Sequence, residues 1–143
     1  MEKTLEPGLE HEVEILVTED LVPPHMRSAG VGVFATPEMV RLIERTALEG
    51  VLPYLAPGQQ TVGTRVELSH TAATPVGMRV RARVRLVEVD RRRLKFQVEV
   101  HDEVEKVGEA THERFIVDLD KSQARVREKV ARWRGGGAPG ERA

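Results

Sequence analysis

The chain has 143 residues, of which 40% are hydrophobic, 31% charged and only 3% aromatic, with a formal net charge of −1 and no cysteine. That length suits one domain with a core of Val, Leu, Ile and Ala; the near-zero charge gives nucleic acid no electrostatic footprint, and the lack of cysteine excludes disulfides, thiolate metal ligands and a cysteine nucleophile. No signal-peptide pattern opens the sequence and no apolar run approaches the roughly 20 residues that span a bilayer, so the expectation is a cytoplasmic protein with no membrane or nucleic-acid partner.

Residues 9–17 alternate loosely and read as a first strand. The next stretch holds Pro23, Pro24, Gly30 and Gly32, too many breakers for regular structure. Residues 36–55 read as a helix. Thr36 offers a capping oxygen, Pro37 stands where no N–H is missed, and Pro53, Pro57 and Gly58 mark the end. From there the period becomes two. Residues 61–73 form a strand leading into the turn Thr74-Pro75-Val76-Gly77. Met78, Val80, Ala82, Val84 and Leu86 then alternate with Arg79, Arg81, Arg83 and Arg85, and the slip of apolar phase to Val87 and Val89 predicts a bulge. The arginine stripe reads first as a solvated sheet face and, more sharply, as a holder of phosphates. Residues 90–93 make a turn, Leu94, Phe96, Val98 and Val100 mark a further strand, and residues 107–119 the last one. Residues 122–133 read as a terminal helix capped by Ser122 or Asp120. The domain thus spans residues 1–134, followed by a disordered Gly-rich tail at 135–143.

The order is strand, helix, four strands with short turns, helix. Short turns imply antiparallel neighbours, and the apolar face of such a sheet must be covered, for which the 36–55 helix is the long candidate. The predicted class is therefore α+β: an antiparallel sheet wrapped around a central helix, the hotdog arrangement. Two such sheets joined edge to edge would also relieve the exposed edges.

Three residues stand out against this frame. At about 100° per residue Val40, Ala47 and Val51 share one helix face, flanked by Ile43 and Leu48, and Glu44 falls inside the same arc. A carboxylate there costs several kcal/mol unless partnered. It is either a functional group or a residue at the edge of the face that reaches water or pairs with an arginine. His70 lies near the end of a predicted strand, where a lone histidine is most often structural or solvated, and the remaining histidines (His11, His25, His101 and His112) show no metal-ligand spacing. Thr36 by itself is explained by capping. Gly63 reads as a bulge glycine or a place of close approach. Together the three residues can serve thioester hydrolysis, a chemistry that their spacing alone does not select. Glu44 can attack the carbonyl or act as base for water, His70 can protonate the leaving thiolate or support Glu44, Thr36 can orient either, and N–H groups at the helix start can receive the oxyanion.

At these residues the chain resembles a known family. The blocks Val33-Phe34-Ala35-Thr36, Pro53-Tyr54-Leu55, Gly63-Thr64, His70-Thr71-Ala72-Ala73-Thr74-Pro75 and Thr111-His112-Glu113-Arg114 are similar to those of the fluoroacetyl-CoA thioesterases, in order and spacing, from about Val33 to Val130. The resemblance implies a hotdog fold, a homodimer or tetramer, and hydrolysis of an acyl-CoA substrate with neither metal nor cofactor. It matches Thr36, Glu44 and His70 to the catalytic Thr, Glu and His, and Gly63 and Arg114 to positions lining the acyl pocket; Phe34 and Thr64, in the same blocks, stand with them as substrate-binding candidates. Fluoroacetyl-specific members carry a longer lid with paired phenylalanines, whereas residues 25–32 here are a shorter stretch with no aromatic. The expected substrate is accordingly another short- or medium-chain acyl-CoA. Two other readings stand beside this one: a hotdog enoyl-CoA hydratase, which would place an Asp and a His in a different local context, and a non-catalytic acyl-CoA binder.

Overall fold

A computed structural model describes residues 4–27 and 30–135. Strand β1 (Glu10–Leu16) is followed by two 3-10 turns, Glu19–Leu21 and Pro24–Met26, and then by helix α1 (Thr36–Val51). A third turn, Leu52–Tyr54, leads to four strands, β2 (Gln59–His70), β3 (Arg79–Asp90), β4 (Arg93–Asp102) and β5 (Lys106–Asp118), and to helix α2 (Leu119–Gly135). The strands form one sheet in the order β1-β3-β4-β5-β2, with every pairing antiparallel. Helix α1 packs across its inner face, and the predicted α+β hotdog architecture is what forms.

The period-two pattern places the core as expected. Val80, Ala82, Val84 and Leu86 of β3 face Leu94, Phe96, Val98 and Val100 of β4, all of them buried. Each such side chain contributes about 1.5–3 kcal/mol of burial. The phase slip predicted after Leu86 is a register shift between Leu86 and Glu88. The intervening arginines lie on the outer face, where Arg79, Arg81 and Arg83 pair diagonally with Glu14, Glu12 and Glu10 of β1. The stripe is a solvated ion-pair ladder. A depression of about 690 Å³ on this outer face is lined by Glu67, Arg83, Glu99, Lys106 and Glu109, where Lys106 pairs with Glu99 and Glu109, Arg83 with Glu10 and Glu67 with Arg65; it lies across the sheet from α1.

Four expectations change. First, the helical cap is Ala35, with no side-chain capping bond, so Thr36 is the first residue of α1. Its hydroxyl is engaged elsewhere, as described below. Second, α1 ends at Val51 and tightens into Leu52–Tyr54, because Pro53 has no N–H to continue the ladder. Third, the buried face of α1 is Met39, Leu42, Ile43, Thr46, Ala47, Gly50 and Val51, rotated away from Val40 and Leu48, which are half-buried. Thr46 turns inward because its hydroxyl donates to Leu42 O at 2.6 Å. Gly50 turns inward because β1 comes so close that an added Cβ would stand 2.8 Å from His11 Cβ. Glu44 consequently sits at the margin of the apolar face, its side chain 43% exposed. Fourth, α2 begins at Leu119, directly after β5, so Asp120 and Ser122 lie inside its first turn and neither precedes it as a cap. None of its residues is buried. Of the tail, residues 136–143 fall outside the described residues, as do Ser28 and Ala29 of the 25–32 stretch.

Candidate active site

Two side-chain pairs line the seam between α1 and β2. At the start of α1, Thr36 Oγ1 lies 2.8 Å from His70 Nδ1 at the end of β2. Eight residues on, about 12 Å along the helix axis, Glu44 Oε2 lies 3.5 Å from Arg114 Nη1 of β5. Helical side chains lean towards the N-terminus, so Glu44 reaches back towards the Thr36 turn. The structure thus joins Thr36 to His70 and Glu44 to Arg114 as separate pairs on one seam.

Gly63 explains how Glu44 fits against the strand. A Cβ at Gly63 would collide with Glu44 Oε2 and stand 3.4 Å from Arg114 Nη1. The bare backbone is what admits the carboxylate. The register of β2 on β5 shifts between Gly63 and Arg65, and Thr64 holds that bulge by donating to Glu113 O at 3.2 Å. Phe34 is 1% exposed and belongs to the core cluster. It fixes the chain two residues before Thr36, with its N–H donated to Thr74 O at 2.9 Å.

Arg114 is itself buried, at 5% exposure, which needs partners if the cation is to be tolerated. They come from two neighbours that the sequence reading did not single out. Nε donates to Thr61 Oγ1 at 2.8 Å and Nη2 to Thr61 O at 3.0 Å, while Nη1 lies 3.3 Å from His112 Nε2. His112, wholly buried, stacks on Phe96 with ring centroids 6.0 Å apart. For His112 a signal was present: period-two counting puts it in phase with Ala110, Arg114 and Ile116, on the inward face of β5.

Burial pushes the His70 imidazole below its usual range, with a backbone hydrogen bond to Ala72 opposing it. Burial does the same to His112, opposed by its bond to the Arg65 carbonyl and reinforced by the charge of Arg114. Arg114 is lowered by burial and supported by Glu44, and a guanidinium keeps its charge regardless. At the helix start, Ala35 N–H goes to Leu21 O and the Glu38 and Met39 N–H groups to Ala35 O. Pro37 has none to give. That leaves the Thr36 N–H, among the described residues, without a backbone acceptor. A histidine held by a hydroxyl, a carboxylate backed by a cation and a helix-start N–H without a backbone acceptor are parts that an acyl-transfer site can use.

Comparison with known proteins places the chain in a family. Residues 17–120 match the model of the fluoroacetyl-CoA-specific thioesterase family. The fluoroacetyl-CoA thioesterase of Streptantibioticus cattleyicolor is 44% identical over 98 residues, 68% of this chain and 70% of that protein. A mutant of a fluoroacetyl-CoA enzyme solved in complex with acetyl-CoA superposes with a TM-score of 0.80 at 34% identity, covering 87% of this chain and 98% of that one. A thioesterase superfamily member from Thermus thermophilus gives a TM-score of 0.82 at 28% identity, covering 92% and 98%. The chain belongs to the fluoroacetyl-CoA-specific thioesterase family and is a hotdog-fold acyl-CoA thioesterase.

Proposed function

We propose that this chain hydrolyses a short- or medium-chain acyl-CoA to the free acid and coenzyme A, without a metal or other cofactor, through Thr36, Glu44 and His70. The observation that carries the reading is Glu44, seated against the bare backbone of Gly63 beside buried Arg114, on the seam that also holds the Thr36–His70 pair. Hydrolysis adds water across the acyl C–S bond. Glu44 supplies the attack, either by deprotonating the attacking water or by attacking the carbonyl carbon itself to form an anhydride that water then cleaves, and the proton taken from that water makes good the one His70 gives up. The C–S bond then breaks, His70 hands a proton to the departing thiolate, and Thr36 orients the imidazole. The Thr36 N–H, which has no backbone acceptor among the described residues, receives charge on the carbonyl oxygen in this reading. Gly63 and Arg114 line the acyl end, Thr64 keeps Gly63 in its bulge, and Phe34 backs the helix approach from the core.

The aromatic-free stretch at residues 25–32 supports an acyl group other than fluoroacetyl, and the acetyl-CoA complex of the related mutant supports a small one. Among the described residues the twelve-residue edge of β2 has no strand neighbour on one side, and Leu52, Val62 and Phe115 are exposed around it. These features suit a homodimer joined there, itself able to pair into a tetramer. Residues 1–134 act as one domain, and a cytoplasmic setting, where acyl-CoA is made and used, fits this chemistry. Among the described residues no helix is long and apolar enough to cross a membrane.

The test is a panel of saturated acyl-CoAs from acetyl to decanoyl, with fluoroacetyl-CoA included, followed by thiol release and free-acid analysis. Equimolar thiol and acid from a short or medium member is the expected result. A folded protein that binds the panel without turnover would instead be a binder, and hydration of an enoyl-CoA with the thioester intact would make it a hydratase.

A further inference from the structure

We infer that His112 is a positioning residue of the hydrolytic site: held by β2 as a neutral acceptor, it fixes the Arg114 guanidinium that faces Glu44. The inference rests on the reading of Glu44 and Arg114 given above and extends it to a residue that touches neither the acyl group nor the thiol.

The argument begins with what each atom can do. His112 Nδ1 lies 2.8 Å from the carbonyl oxygen of Arg65. A carbonyl only accepts, so the ring proton is on Nδ1 and Nε2 presents a lone pair. That lone pair lies 3.3 Å from Arg114 Nη1, which only donates. The bond at one end of the imidazole therefore dictates what the other end offers. Stacking on Phe96 and complete burial hold the ring so that it cannot turn away.

Arg114 is then gripped on three sides by neutral acceptors: Thr61 Oγ1 at 2.8 Å, Thr61 O at 3.0 Å and His112 Nε2 at 3.3 Å. Only Nη1 also faces an anion, Glu44 at 3.5 Å. The nearby Glu113 carboxylate is held by Arg93 Nη1 at 3.0 Å and does not compete. Neutral acceptors leave the charge of Arg114 free for Glu44, and the imidazole decides which way Nη1 points. Were Nε2 to carry a proton, two donors would oppose each other beside a cation and the guanidinium would be pushed off its line. His112 thus acts through Arg114, by direction and not by charge.

Two isosteres separate this role from simple core filling. His112→Asn keeps an amide nitrogen near Nδ1 for Arg65 O and leaves nothing at Nε2. His112→Gln puts an amide oxygen near Nε2 and restores the acceptor for Arg114. Thiol release from acetyl-CoA and hexanoyl-CoA is measured for both variants and wild type. The expected result is that Asn lowers kcat on the order of 30-fold with KM little changed, while Gln stays within about 5-fold of wild type. Equal losses in the two variants, or an Asn variant with wild-type kcat, would overturn the inference while leaving the thioesterase reading intact. A folded wild type that releases no thiol from these esters or any other member of the panel would fail that reading, and the inference with it. Should the Asn variant not fold, long-range 1H–15N spectra of wild type decide: the Nδ1–H tautomer is expected, and an Nε2–H tautomer would refute the arrangement.

Discussion

Gly63→Ala adds a single methyl group where the structure has no room for one. The new Cβ would overlap Glu44 Oε2 and stand 3.4 Å from both Glu44 Cδ and Arg114 Nη1. Arg114 is tied to Thr61 through two hydrogen bonds of 2.8 and 3.0 Å, so it yields less readily than Glu44, whose side chain is 43% exposed. The carboxylate moves outward, by about 1 Å if ordinary contact is to be restored, and a displacement of that size costs on the order of 10²-fold in rate, about 2.7 kcal/mol of barrier. Stability should change little. Gly63 does not adopt the left-handed backbone, so alanine is accepted without strain and restricts the unfolded chain, a gain of about 0.4–1 kcal/mol. Weakening the ion pair offsets about as much, because its Glu44 side is 43% exposed and solvent-screened while buried Arg114 keeps its bonds to Thr61. Steady-state thiol release together with urea denaturation gives both quantities. A Gly63→Ala protein with wild-type kcat would refute the reasoning, as would one that loses activity only in proportion to lost fold.

Thr36→Val removes the hydroxyl that meets His70 while keeping shape. Because Ala35 caps α1, the urea midpoint should shift by less than the ~1 kcal/mol that a lost cap costs, while kcat falls at least about 10-fold; a full capping loss without a rate effect would contradict the assignment. Acid should destabilise the fold through His112. Its ionisation is depressed below the ordinary 6.5, so below that pH the unfolded chain takes up protons first and stability falls as pH drops towards the folded-state value. Urea midpoints between about pH 7.5 and pH 5 should show this slope, and His112→Gln should make it shallower, the remainder coming from His70, whose ionisation burial also depresses; equal slopes in the two proteins would remove His112 as a cause. Ending the chain at Ser122 discards most of α2, which buries no residue, and should move Tm by only about 2 °C. A much larger loss on thermal scanning would show that α2 is buried in the assembled protein.

The sheet was legible because β3 alternates as far as Leu86 and β4 from Leu94 to Val100, and even the bulge after Leu86 showed as a phase slip. The orientation of α1 was less so, because two of its inward residues, Thr46 and Gly50, do not count as apolar; only a hydroxyl returned to Leu42 O and the close approach of His11 make them core. That hid the rotation which brings Glu44 to the margin and into its pair with Arg114, one of the alternatives that its place on the helix allowed. Thr36 carries an ordinary capping signature, and nothing local announces a histidine 34 positions away. His112 was visible by phase but was weighed as a metal ligand, and its partners come from another strand. Distances across the sheet, not patterns along it, carried the missing part of the site.

The central claim is that acyl-CoA hydrolysis runs through Glu44. Glu44→Gln preserves size and the approach to Gly63 while removing the charge, so one comparison of kcat for thiol release from the best acyl-CoA of the panel addresses it directly. The account predicts a fall on the order of 10³-fold or more in a protein that unfolds at the wild-type urea midpoint; a Gln variant that keeps most of the wild-type rate would place the chemistry elsewhere.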